Sequence, residues 1–195
     1  MQKIVLMLLM LLLSVSSGFS LPASYGAAVE VPPAEGEVLP DFSLPVSQKQ
    51  NERQYLGTKP DGYFKIPQIK AQVVILEIFS MYCPFCQKEA PAVNQLFELI
   101  EGNAELKDKI KIVGIGAGNT PFEVNAFRNL YHIGFPLFPD KDFSLHNLLG
   151  QVGTPYFIAV KIRPDGKHKI IYSKVGSFGD PRQFLDLIVA RAKAE

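Results

Sequence analysis

The stretch Val73-Val74-Ile75-Leu76-Glu77-Ile78-Phe79 constrains this chain more than any other part of it. It is an almost unbroken apolar run rich in β-branched residues, and such runs form strands covered on both faces. After a short turn comes Cys83-Pro84-Phe85-Cys86. From Pro84 to about Glu101 the apolar residues Ala90, Val93, Leu96, Phe97 and Ile100 then recur at helical spacing, with Pro91 inside the pattern, where it is expected to kink the helix. A buried strand feeding through a turn into an amphipathic helix is the central unit of an α/β layered fold.

The alternation continues downstream. Ile110–Ile115 predicts a second strand, Pro121–Tyr131 a second helix, Phe135–Phe138 a short extended piece and Phe143–Leu149 a short helix. Pro155–Ile162 predicts a third main strand. Arg163-Pro164-Asp165-Gly166 is a turn signal, after which Lys169–Tyr172 returns as the second arm of a hairpin. The last helix starts with Asp180 as N-cap and Pro181 at its first position. Residues 46–62 are polar and turn-rich and read as loop, and Tyr63–Ile66 reads as a short edge strand. The expected class is α/β, a central mixed sheet with helices on both faces.

Lys3, an apolar stretch from Ile4 to Leu13 and small or polar residues from Ser14 to Ser20 describe a secretory signal. Residues 1–22 are therefore expected to be a signal peptide, cut after Ser20 or Ala28, or an uncleaved membrane anchor extended by Val15, Phe19 and Leu21. Either way the domain is expected outside the cytoplasm, periplasmic or otherwise extracytoplasmic, where disulfides persist. Residues 23–38, rich in Pro, Gly, Ala and Glu, read as a linker, with order expected from near Asp41 and a single domain over 39–195.

Of 195 residues, 47% are hydrophobic and 20% charged, with a net charge of +1 and no basic stripe, so a nucleic-acid partner is not expected. The only two cysteines are Cys83 and Cys86, and His132, His146 and His168 have no spacing that completes a zinc site. No metal or cofactor is expected. Redox chemistry is. At the first turn of a helix, free backbone N–H groups and partial positive charge favour a thiolate at Cys83. Cys86, one turn inward, can reach back and close a disulfide. The alternative is an inert or static cysteine pair. Tyr82 and Phe85 are expected on the solvent-facing rim, where they can touch substrate. Glu77 interrupts an apolar strand, which is costly unless the carboxyl has a task, or else faces outward. Glu89 lies one turn after Cys86 and shares its helix face, either as a solvated residue or as part of the site.

The segment Phe79-Ser80-Met81-Tyr82-Cys83-Pro84-Phe85-Cys86-Gln87-Lys88-Glu89-Ala90-Pro91 resembles the thioredoxin superfamily, and specifically its exported TlpA/ResA-like, AhpC/TSA-related branch. Asp41-Phe42-Ser43-Leu44, Ile66-Pro67-Gln68-Ile69-Lys70 and Gly153-Thr154-Pro155 extend the resemblance from about Leu39 to the C-terminus. It implies a thioredoxin-like three-layer sandwich with a strand–helix insert, here near 112–139. It implies Cys83 and Cys86 as a catalytic dithiol, Glu77 as proton acceptor at Cys86, and Glu89 as an active-site glutamate. It also implies a cis bond before Pro155, with Thr154 offering backbone groups to substrate. Pro155 as an ordinary trans proline opening a strand is the alternative. The implied activity is disulfide reduction in extracytoplasmic proteins, with the haem-attachment cysteines of apocytochrome c as one candidate and a membrane thiol donor, or an oxidase, as redox partner.

Two features depart from the branch. Tyr82 stands where tryptophan is usual, and Pro84 precedes Phe85 where proline usually comes second. Those positions tune the potential, so a disulfide oxidant or isomerase is the related alternative. A peroxiredoxin-like peroxidase, with Ser80 before Cys83 and Arg128 as its arginine, is another, although Leu76 replaces the proline expected upstream. A non-catalytic binding module is the remaining one.

Overall fold

The computed structural model describes residues 31–194. The expected signal or anchor at 1–22 lies outside the described residues, as does the first part of the expected linker. Among the described residues, no helix is long and apolar enough to cross a membrane.

The elements run β1 (Leu44–Pro45), α1 (Gln50–Leu56), β2 (Tyr63–Phe64), a 3-10 turn (Ile66–Gln68), β3 (Val73–Phe79), α2 (Pro84–Glu101), β4 (Ile110–Ala117), α3 (Pro121–Tyr131), β5 (Leu137–Asp140), α4 (Ser144–Leu148), β6 (Tyr156–Ile162), β7 (His168–Val175) and α5 (Pro181–Ala194). Five strands form one mixed sheet in the order β5-β4-β3-β6-β7. β3 is its centre, parallel to β4 and antiparallel to β6. Every residue of β3 is buried, which is why its sequence is a run rather than an alternation. The insert is β4–α3–β5, which places β5 at the sheet edge, parallel to β4. α2 continues through Pro91 to Glu101.

Alternation along β3 splits the core in two. Val73, Ile75 and Phe79 pack with Cys86, Val93 and Leu96 of α2, Phe127 of α3, and Phe184 and Ile188 of α5. Val74, Leu76 and Ile78 pack with Leu39, Leu44, Leu56, Phe64 and Leu149 on the opposite face. Helices thus lie on both faces, as expected, but the three long ones share one. Glu77 is in phase with Ile75 and Phe79, which puts its side chain on the α2 face, beside Cys86.

Two stretches differ from the sequence reading. Residues 46–62 are not all loop, because α1 forms there, ended by Gly57 at φ 67° in the left-handed conformation glycine favours. Its stability comes from partners far along the chain. Glu52 is buried, accepts from the Ser47 hydroxyl at 2.6 Å and pairs with Arg128 at 3.1 Å. The Tyr55 hydroxyl accepts from the Ile112 N–H at 2.8 Å, on the part of β4 that β5 does not reach. Order also starts before Asp41. The Gly36 N–H donates to the Ile170 carbonyl and the Ile170 N–H donates to the Glu37 carbonyl, each at 2.8 Å.

Glu52→Ala is expected to cost about 3 kcal/mol, because it strands a largely buried guanidinium. A lowered urea midpoint with unchanged thiol chemistry checks this.

Candidate active site

β3 ends at Phe79 and α2 starts at Pro84, so residues 80–83 form the turn between them. Cys83 is the N-cap of α2, with extended backbone at φ −84° and ψ 115°. Pro84 fills the first helical position, where its missing N–H costs nothing. Cys83 is partly exposed and Cys86 fully buried, and both are free thiols.

The two sulfurs differ in chemistry. Partial burial works against ionisation of Cys83. Hydrogen bonds from the Thr154 side chain, the Cys86 thiol and the backbone N–H groups of Cys86 and Phe85 outweigh it, and hold Cys83 below the ordinary thiol range. As a thiol, Cys83 Sγ donates to the Thr154 carbonyl at 3.2 Å. Cys86 is pushed up to about 12, chiefly by burial, with the charge of Glu77 adding to it. Its Sγ accepts a long hydrogen bond from the Ser80 N–H at 3.5 Å. One sulfur is therefore an accessible nucleophile, and the other is held protonated until a base takes its proton.

Glu77 lies close enough for its charge to act on Cys86. It is 1% exposed, and among the described residues neither carboxyl oxygen has a hydrogen-bond partner. Burial, reinforced by the charge of Glu89, raises it from 4.5 to about 8. The outward-facing alternative does not hold. Nor is Glu89 a solvated helix residue: it is buried and accepts from the Ser177 hydroxyl at 2.9 Å and the Phe178 N–H at 3.1 Å. It ties α2 to the loop between β7 and α5.

The Thr154–Pro155 bond is cis, as the resemblance implied. Tyr82 and Phe85 are 66% and 72% exposed, on the rim where sequence put them. The Tyr82 hydroxyl also donates to the Glu123 carboxylate, which itself caps the start of α3 through the Thr120 N–H.

Sequence reasoning missed Gln87 and Asn119. The Gln87 side chain donates to the Met81 carbonyl at 2.8 Å, and the Asn119 carboxamide accepts from the Met81 N–H at 2.9 Å. Of the residues of the peroxidase alternative, Arg128 is engaged away from the sulfurs, while Ser80 stays in the active-site turn. Arg128 pairs with Glu52 and donates to the Phe135 carbonyl, and Ser80 lies within 3.5 Å of the Asn119 amide. His146 bonds the Val152 carbonyl, and His132 caps α3.

The AhpC/TSA family matches residues 36–169. The chain belongs to this family. Among curated relatives, the thiol-disulfide oxidoreductase ResA of Oceanobacillus iheyensis is 26% identical over 68% of this chain, a match spanning 61% of that protein. ResA of Geobacillus thermodenitrificans is 23% identical over 92% of each chain. Among solved structures, a putative thiol:disulfide interchange protein DsbE from Chlorobium tepidum superposes with a TM-score of 0.60 at 21% identity, covering 82% of this chain and 98% of that one. The fold of this AhpC/TSA-family chain is thus thioredoxin-like, a central mixed sheet between layers of helices.

Proposed function

We propose that this protein is a thiol–disulfide oxidoreductase that reduces disulfides of exported proteins through Cys83 and Cys86. The observation that carries the reading is the asymmetry of the two sulfurs across one helical turn. Cys83 is accessible and favoured as thiolate, and Cys86 is buried, protonated and beside an unpartnered carboxyl. Two ResA relatives bear a matching name.

In the forward direction, the Cys83 thiolate attacks one sulfur of a substrate disulfide and expels the other as thiolate. A mixed disulfide results. Glu77, as carboxylate, takes the Cys86 proton, and Cys86 then attacks Cys83 Sγ. The Cys83–Cys86 disulfide forms, the second substrate sulfur leaves, and two electrons have passed to the substrate. A dithiol donor must then reduce the enzyme. Thr154, whose carbonyl lies beside Cys83 Sγ, offers a main-chain anchor to the substrate segment, with Pro155, Pro84, Phe85 and Tyr82 around it. The apolar stretch at 4–13 supports an extracytoplasmic setting, and with it a membrane thiol donor. Resemblance to the ResA-like branch makes the haem-attachment pair of apocytochrome c one candidate substrate.

The test is the reduction potential of the pair, by equilibration against glutathione and dithiothreitol buffers. A value near that of thioredoxin, about −270 mV, is expected. A value near about −120 mV makes the protein an oxidant that installs disulfides. Failure to form a reversible intramolecular disulfide overturns both directions.

A further inference from the structure

The turn that presents Cys83 is held from outside itself. Met81 is its middle, and both polar groups of that residue are satisfied by side chains of other segments. The Met81 N–H donates to Asn119 Oδ1 at 2.9 Å, and the Met81 carbonyl accepts from Gln87 Nε2 at 2.8 Å. Gln87 belongs to α2 and is a local partner. Asn119 comes from the β4–α3 loop, 38 residues away in sequence, and is 0% exposed.

The loop is shaped to bring it there. A Cβ on Gly116 would come within 3.1 Å of the Asn119 Cβ and 2.9 Å of Val124. Gly118, at φ 66°, would place one 2.2 Å from the Phe143 ring. The Gly118 N–H is fixed on the Asp140 carbonyl at 2.8 Å, and the Asn119 N–H on the Gly116 carbonyl at 3.0 Å. A carboxamide delivered with this much surrounding constraint costs free energy to bury unless bonded, and its bonds go to the active-site turn. Asn119 Nδ2 also lies 3.5 Å from Ser80 Oγ.

Ser80 links this to the sulfurs. Its N–H points at Cys86 Sγ and its carbonyl accepts from the Cys83 N–H at 3.1 Å. We propose that Asn119 is a positioning residue for the dithiol, its carboxamide holding the Ser80–Met81 backbone so that both sulfurs keep their hydrogen-bond partners. The inference rests on the thiol–disulfide reading. It adds a residue whose side-chain hydrogen bonds go to the turn and to neither sulfur, and which lies outside the strand–turn–helix unit. Through it, the β4–α3–β5 insert takes part in setting the reactivity of a site that the insert does not contain.

The test is the pH dependence of Cys83 alkylation by iodoacetamide in wild type, Asn119→Ala and Asn119→Ser, with thermal melting alongside. In Asn119→Ala the Met81 N–H loses its acceptor and the turn relaxes. The alkylation midpoint is expected to rise by about one pH unit, which lowers the rate about tenfold at pH values well below both midpoints. Asn119→Ser, with a hydroxyl on the same Cβ, is expected to fall between. A lower melting temperature with an unmoved midpoint in both variants reduces Asn119 to a structural role and overturns the proposal. Amide exchange in the wild type gives an answer even where a variant does not fold: the Met81 N–H is expected to be protected, and exchange as fast as an open loop amide overturns the proposal. The disulfide reading fails separately, by the absence of a reversible Cys83–Cys86 disulfide in the wild type.

Discussion

Cys83→Ser is expected to bring insulin disulfide reduction down to the buffer background. A serine hydroxyl does not ionise under conditions where the Cys83 thiol does, and Cys86, the other cysteine, is buried. Cys86→Ser is expected to fail differently. Cys83 still attacks, but the mixed disulfide has no internal thiol to release it, so a covalent complex with the substrate accumulates. A turbidity assay reads the first result, and non-reducing electrophoresis with intact-mass measurement reads the second. Full activity in Cys83→Ser would mean that the fold serves as a binding scaffold.

The second large effect belongs to Glu77, and it has opposite signs in stability and in catalysis. Its carboxyl is neutral in both the folded and unfolded chain below about pH 4.5. Between 4.5 and about 8 only the unfolded chain ionises, so folding stability falls as pH rises through that window. Above about 8 the folded carboxyl ionises too and the loss is complete. The full loss is roughly 3–5 kcal/mol. Glu77→Leu removes it, and at pH 8 is expected to melt roughly 5–15 °C higher than wild type. On the proposed mechanism, the same variant loses the base that serves Cys86. Resolution of the mixed disulfide is expected to slow about 10- to 100-fold. In wild type that step should accelerate as pH rises toward 8, and in the variant this acceleration should vanish. Rapid-quench measurement of the resolving step against pH, with parallel melting curves, checks both. An unchanged resolving rate removes Glu77 from the mechanism.

The central unit was legible because its signals are local. β3 is written as one apolar run, α2 and α3 as periodic stretches each opened by proline, and α5 by Asp180, whose side chain accepts from the Gln183 N–H at 2.9 Å. Cys83 and Cys86 declare themselves by spacing and by their place between strand and helix. Glu77 stood out because a carboxyl is out of place in such a run.

What stayed hidden depends on partners distant in sequence. The segment Gln-Asn-Glu-Arg-Gln-Tyr-Leu of α1 has no apolar period, and its buried glutamate makes sense only once Arg128 is beside it. Glu89 has the same local sequence whether solvated or buried, and Ser177 and Phe178 decide which. Asn119 looks like an ordinary loop residue. The one hint was the pair of glycines before it, Gly116 and Gly118, which signal crowding without saying what crowds.

The contacts at Gly36 and Glu37 also bear on how this protein keeps to itself. A five-stranded open sheet has two borders, each a row of backbone groups able to recruit a strand from another molecule. On the β7 border, the backbone of Gly36 and Glu37 already occupies both polar groups of Ile170. On the other, β5 is only four residues long and contains Pro139, which has no N–H to give. Strand recruitment is thus hindered at Ile170 on one border and at Pro139 on the other. On the proposed function, a client chain would approach over the end of the sheet, where the Thr154 carbonyl stands next to sulfur.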